Sequence, residues 1–151
     1  MPYTEATLME VYRYGVSAPV GLPKSTTRDM TFRGFKIPKN TMVMVNQWAV
    51  HYNQDHWDEP FKIKPERFLD ASGLQLIKPT ESYMPFGLGR RSCLGENFAK
   101  GEIFILFCWL FGRYSFTKVP GREGESLIRK DESQGLTQYH PYPYEVIVRK
   151  L

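Results

Sequence analysis

Cys93 closes a glycine-rich stretch, Phe86-Gly87-Leu88-Gly89-Arg90-Arg91-Ser92, and stands directly before a run that reads as a long helix, Leu94 to Phe111. A loop that delivers a cysteine to the first turn of a helix sets its sulfur among free backbone N–H groups at the positive end of the helix dipole. That setting favours thiolate over thiol. Gly87 and Gly89 let such a loop turn tightly, and Gly95 lets the backbone beyond it approach something flat and bulky. A cysteine without this context is more often a small buried hydrophobe, and Cys108, inside the apolar run, is read that way. The same glycines fail two other patterns. A dinucleotide fingerprint counted from Gly87 meets Ser92 where its third glycine belongs, and a Walker loop needs a Gly-Lys-Ser/Thr that is absent. His51 and His56 have a zinc-finger spacing, but no Cys-x-x-Cys precedes them, and loop histidines are more often solvated than ligating.

The elements that must position this loop follow from patterning. Residues 4 to 14 have helical character that Gly15 and Pro19 end. Met30 to Ile37 and Thr41 to Val45, separated by Pro38-Lys39-Asn40, predict a β-hairpin, and Trp48 to His51 a helical turn. Asn53 to Ser82 is dense in proline, charge and aromatic residues without either period, which predicts an ordered, non-repetitive meander. The apolar run Ile103 to Phe111 predicts a helix buried on all sides, stopped by Gly112. Short terminal strands are expected near Leu127 to Arg129 and Tyr144 to Val148. No repeat or flexible linker interrupts residues 1–151, which read as one unit of mixed α and β class.

Composition narrows the function classes. Hydrophobic residues make up 42% and charged residues 24% of the 151, the balance of a folded protein. Lysine and arginine exceed aspartate and glutamate by only 20 to 16 and form no basic run, so nucleic-acid binding has little support. Two cysteines build no disulfide framework, and no Asn-x-Ser/Thr sequon is present; reduced thiols facing the cytosol fit best. The longest unbroken apolar run, Ile103 to Phe111, falls well short of the ~20 residues of a membrane-spanning helix, and the N-terminus lacks the layout of a signal peptide.

The spacing Phe86-x-x-Gly89-x-Arg91-x-Cys93-x-Gly95 matches the heme-binding loop of the cytochromes P450 at every defining position, and the sequence resembles that family. Glu10-x-x-Arg13 on the first helix, then Pro65-Glu66-Arg67-Phe68 in the meander, then the cysteine loop repeat the family's order. Such an i,i+3 pair alone contributes only ~0.2–0.5 kcal/mol on most helices, so the order carries more than the pair. The resemblance implies the C-terminal part of the mainly α cytochrome P450 fold: helix, β-hairpin, meander, cysteine loop, long buried helix and terminal strands. It makes Cys93 the axial ligand of the iron of heme b, with Arg91 paired to a heme propionate and Lys24 in a place where relatives often carry histidine or arginine near one. Phe86 would pack beside the sulfur, Gly95 would give the heme room, and N–H groups of Leu94 and Gly95 would temper the thiolate. Glu10, Arg13 and Arg67 would form a buried charge network that is structural rather than catalytic. Arginine suits that use because its planar fork satisfies two acceptors at once. Ala18, Val20 and Leu22 would line a substrate pocket, with a second pocket segment near Ser133 to Thr137.

Within the family, Asn46-Gln47-Trp48 and Ser25-Thr26-Thr27-Arg28-Asp29 resemble the aryl-hydrocarbon-oxidising enzymes, and Phe68-Leu69-Asp70 through Gly73-Leu74-Gln75-Leu76-Ile77 the steroid 17α-hydroxylases. The implied function is a monooxygenase that inserts one atom of O₂ into a lipophilic steroid or xenobiotic. Its electrons would come from NADPH through NADPH-cytochrome P450 reductase, docking near Arg90 and Lys100, with cytochrome b5 as an optional donor. The full-length protein would sit on the cytosolic face of the endoplasmic reticulum membrane. No Ala/Gly-Gly-x-Asp/Glu-Thr-Thr segment and no anchor occur in the sequence, so a distal oxygen-handling helix is expected to be missing. The competing expectation is a non-enzymatic or inert heme-binding fragment from a truncated gene product.

Overall fold

The computed structural model describes residues 1–121 and 144–151. Helix α1 spans Pro2–Gly15, with proline in its first turn, where the missing N–H is no loss, Glu5 near its N-terminus and Arg13 near its C-terminus. Val16 closes it in a left-handed conformation. The inward face carries Ala6, Glu10, Arg13 and Tyr14, all buried. Helical spacing puts these on one stripe, but two of the four are charged.

The β-hairpin differs from the expected one. Strands β1 (Lys24–Ser25), β2 (Met30–Phe32), β3 (Phe35–Ile37) and β4 (Met42–Val43) pair as β2 with β3 and β1 with β4, both antiparallel. Pro38-Lys39-Asn40 does turn, with the Thr41 amide on the Pro38 carbonyl at 3.3 Å, but it leads from β3 to β4, which do not pair; the turn that joins paired strands is Arg33-Gly34, inside the first run. Both turn residues have positive φ, 47° and 84°, the two-residue geometry whose twist matches paired strands. The Pro38–Asn40 segment instead joins the outer pair: Thr26 Oγ1 donates to the Pro38 carbonyl at 2.7 Å and accepts from the Thr41 amide at 3.0 Å.

Helix α2 (Gln47–His51) is capped by Asn46, whose side chain accepts from the Ala49 amide at 2.9 Å. The meander that follows contains a single 3₁₀ turn, Pro65–Phe68, which packs on α1. Ala6, Trp57, Phe68 and Leu69, flanked by Met9 and Tyr83, form the apolar core at this junction.

Helix α3 (Glu96–Phe111) is apolar as expected but is not buried among the described residues. Ile105 is 68% exposed and Phe98 76%. Its neighbour is β5 (Tyr114–Lys118), which pairs with β6 (Val146–Lys150) from Tyr114 opposite Lys150 to Lys118 opposite Val146. Strand β6 takes the place expected for Tyr144 to Val148, shifted toward the C-terminus, and β5 is a partner that alternation alone did not single out. The expected strand at Leu127 to Arg129 and the pocket segment at Ser133 to Thr137 lie outside the described residues.

Candidate functional site

Glu10, Arg13 and Arg67 come together where α1 meets the meander. Arg13 lies against Glu10 in a two-pronged contact, Nε to Oε2 at 2.7 Å and Nη2 to Oε1 at 2.9 Å, with both side chains fully buried. Its remaining donors reach the carbonyls of His51 at 2.7 Å and Pro60 at 2.9 Å. Arg67 donates Nε to Glu10 Oε1 at 3.1 Å and Nη1 to the Asp58 carbonyl at 2.8 Å. The Lys64 amide adds a further bond to Glu10 Oε1 at 2.9 Å. Buried charges persist when paired and hydrogen-bonded in this way. The rings of Trp57 and Tyr52 flank the Arg13 guanidinium at 5.1 and 5.8 Å.

His51, expected to be solvated, is fully buried. Its Nε2 accepts the Met84 amide at 3.0 Å, and its ring stacks on Tyr83 at 6.3 Å and meets the edge of Trp57 at 6.4 Å. Burial, seconded by the neighbouring Arg13 charge, lowers its pKa from 6.5 to about 4, so the ring is neutral at physiological pH. Burial also raises the Tyr83 hydroxyl above its ordinary range, and that hydroxyl donates to the Met9 carbonyl at 3.2 Å. The His51–His56 spacing points only to a metal role without its cysteines; the nearby Trp48, Tyr52 and Trp57 are the local signal for burial.

Beyond Met84 the chain enters the cysteine loop. The Gly87 amide donates to the Met84 carbonyl at 3.0 Å, Gly87 and Gly89 take positive φ of 76° and 72°, and Gly89–Arg91 forms one 3₁₀ turn. The Cys93 amide returns to the Phe86 carbonyl at 2.8 Å, closing the loop on itself. Phe86 meets the Tyr12 ring edge-on at 5.3 Å, and Lys100, ion-paired with Glu96 at 2.6 Å, sits 5.4 Å from the Phe86 ring centre. A cavity of about 310 Å³ lies behind the loop, between Tyr83, Phe86, Ser92, Glu96 and Lys100.

Cys93 does not occupy the first turn of the helix. Helix α3 begins at Glu96 with Gly95 as its N-cap, so the cysteine ends the loop just ahead of it, exposed and unbridged. Cys108 is half-buried in α3. Arg91, Gly89 and Gly95 are exposed around Cys93, and a Cβ built at Gly89 or Gly95 meets nothing within 4 Å. Leu94 and Phe98 also stand in the open. Bare backbone, a projecting sulfur, exposed apolar side chains and an arginine are the features a flat group with carboxylate substituents requires, and these residues fit one. Lys24 is exposed on β1; of the expected pocket residues, Ala18 and Val20 are half-buried, whereas Leu22 is 75% exposed rather than packed.

The sequence matches the family described as Cytochrome P450 over residues 1–148. It is 41% identical to mouse (Mus musculus) "Cytochrome P450 2U1" over 150 residues, 99% of this chain and 27% of that protein. It is 44% identical to the guinea pig (Cavia porcellus) "Steroid 17-alpha-hydroxylase/17,20 lyase" over 123 residues, 82% of this chain and 24% of that one. It is also 44% identical to human (Homo sapiens) "Cytochrome P450 1A2" over 122 residues, 80% and 24% of the two chains. The chain thus spans about a quarter of the length of the curated relatives it matches.

Proposed function

This chain belongs to the cytochrome P450 family, and from that premise we propose that it works as the C-terminal heme-thiolate segment of a longer monooxygenase chain, with Cys93 as the axial ligand. The observation that carries this reading is the exposed, unbridged Cys93 at the end of a self-closed loop whose glycines leave bare backbone on either side. Arg91 would hold a propionate, Phe86 would shield the sulfur, and Gly95 would admit the porphyrin. Lys24 is the second candidate for a propionate partner. The heme that these residues would hold would supply dioxygen activation with two electrons and two protons from outside, and thiolate ligation would make its iron electron-rich.

The substrate in this reading is a lipophilic small molecule, a steroid or a planar aromatic, which accords with the hydroxylase name of one relative. Ala18, Val20 and Leu22 contribute to its pocket. The electrons come from NADPH through the flavoprotein reductase, which approaches the surface near the exposed Arg90 and the half-buried, Glu96-paired Lys100, with cytochrome b5 as an optional donor. The full-length chain resides on the cytosolic face of the endoplasmic reticulum; no helix among the described residues is long and apolar enough to cross a membrane.

One observation favours a second reading for the chain acting by itself. The apolar α3 lies open to solvent among the described residues, and a porphyrin needs cover on both faces. Residues 1–151 alone would then be an inert or non-enzymatic heme binder. Turnover separates the two. Full-length protein reconstituted with heme, reductase and NADPH is expected to hydroxylate a steroid or a planar aromatic, and residues 1–151 treated identically are expected to yield no product. Product from residues 1–151 would overturn the second reading; none from the full-length protein with a broad lipophilic panel would overturn the first.

A further inference from the structure

Met84 and Phe86 bracket the start of the cysteine loop, and each is held from a different side. The Phe86 carbonyl accepts the Cys93 amide at 2.8 Å, and the Met84 amide donates to His51 Nε2 at 3.0 Å. The turn bond from Gly87 to the Met84 carbonyl, at 3.0 Å, makes the two anchor points one unit. His51 is itself fixed at its backbone, because its carbonyl accepts Arg13 Nη1 at 2.7 Å. A continuous path of hydrogen bonds therefore runs from Glu10 through Arg13 to His51, Met84 and the turn that ends at Cys93.

We propose that His51 is a positioning residue for the Cys93 thiolate, using a neutral Nε2 acceptor to set where the cysteine loop leaves the α1–meander body. The proposal rests on the assignment of Cys93 as the heme ligand. Ligand orientation is commonly fixed by groups outside the coordination sphere, and a loop held at its start by a single side-chain acceptor is sensitive to that acceptor. The setting favours the role. Tyr83 and Trp57 enclose the imidazole, Arg13 and Glu10 are the charged groups that face it, and burial together with the Arg13 charge keeps the ring neutral with its lone pair available. A protonated ring would turn a donor toward the Met84 N–H and break the contact.

The test uses the full-length holoprotein with His51→Phe, which keeps a ring but no acceptor, and His51→Gln, which carries an amide oxygen at a similar reach. The ferrous–CO spectrum reports thiolate ligation per heme, independently of how much protein folds. His51→Phe is expected to lose the larger share of the red-shifted band while retaining heme, and His51→Gln to keep it. If His51→Phe gives no holoprotein, His51→Asn, whose amide is too short to reach Met84, takes its place and is expected to lose the band. A band per heme unchanged in the acceptor-less variant, or lost equally in His51→Gln, would overturn the proposal. Cys93→Ala is measured alongside. Persistence of the shifted band there would refute the ligand assignment itself, whereas its loss there combined with an unaffected acceptor-less variant would refute only the role of His51.

Discussion

Arg13 and Arg67, from α1 and the meander, donate to the same oxygen of Glu10, Oε1, at 2.9 and 3.1 Å. One buried carboxylate thus joins two segments far apart in sequence. Carbonyls of His51, Pro60, Asp58, Glu59 and Lys62 accept further guanidinium N–H groups, so the excess positive charge is spread over backbone dipoles. Removing a partner from such a cluster strands charge in a dry environment at a cost of ~3–5 kcal/mol. Glu10→Gln is therefore expected to lower stability by that amount and to reduce heme retention with it. Arg13→Lys should fare little better, since an ammonium cannot reproduce the planar contact. A double-mutant cycle on Arg13 and Arg67, followed by denaturant unfolding, is expected to be non-additive; additivity with normally folded single mutants would contradict the cluster.

Acid should loosen the same junction through His51. Its folded pKa is lowered to about 4 from the 6.5 of an unfolded chain. Between those values the unfolded state binds a proton that the folded state does not, so stability rises with pH in this window and is lost as pH falls from 6.5 toward 4. The contribution is about 3 kcal/mol. Unfolding midpoints measured from neutral pH down through this window should fall less steeply for His51→Gln than for the unmodified protein. Parallel pH profiles would contradict a buried neutral imidazole.

The exposed face of α3 makes a third expectation. With Phe98, Ile105 and Leu106 open to water, residues 1–151 expressed alone should bind an apolar dye, self-associate and take up hemin weakly. Light scattering and a hemin titration check this. A monodisperse chain with stoichiometric thiolate-ligated heme would contradict it.

Much of the site could be read before the structure, because its signals are local. Loop glycines, the spacing to Cys93, and the Glu10–Arg13 interval are fixed by short-range geometry, and the first helix and meander follow from periodicity and proline content. The failures share a physical cause. Arg33-Gly34 turns inside an alternating run in addition to the expected turn at Pro38-Lys39-Asn40; which of the two joins paired strands depends on the pairing of β2 with β3 and of β1 with β4. His51 is buried by the nearby Trp57 and also by Tyr83 and Arg13, which are distant in sequence and which no local pattern brings to it. The burial expected of α3 is not found among the described residues, because an all-round apolar surface states a need for neighbours without supplying them.

The ligand assignment is tested most directly by the ferrous–CO difference spectrum of full-length Cys93→Ala beside Cys108→Ala and the unmodified protein. Thiolate ligation produces a red-shifted Soret band. The unmodified protein and Cys108→Ala are expected to show it, and Cys93→Ala to lack it even where heme remains bound. A shifted band surviving in Cys93→Ala would contradict Cys93 as the heme ligand.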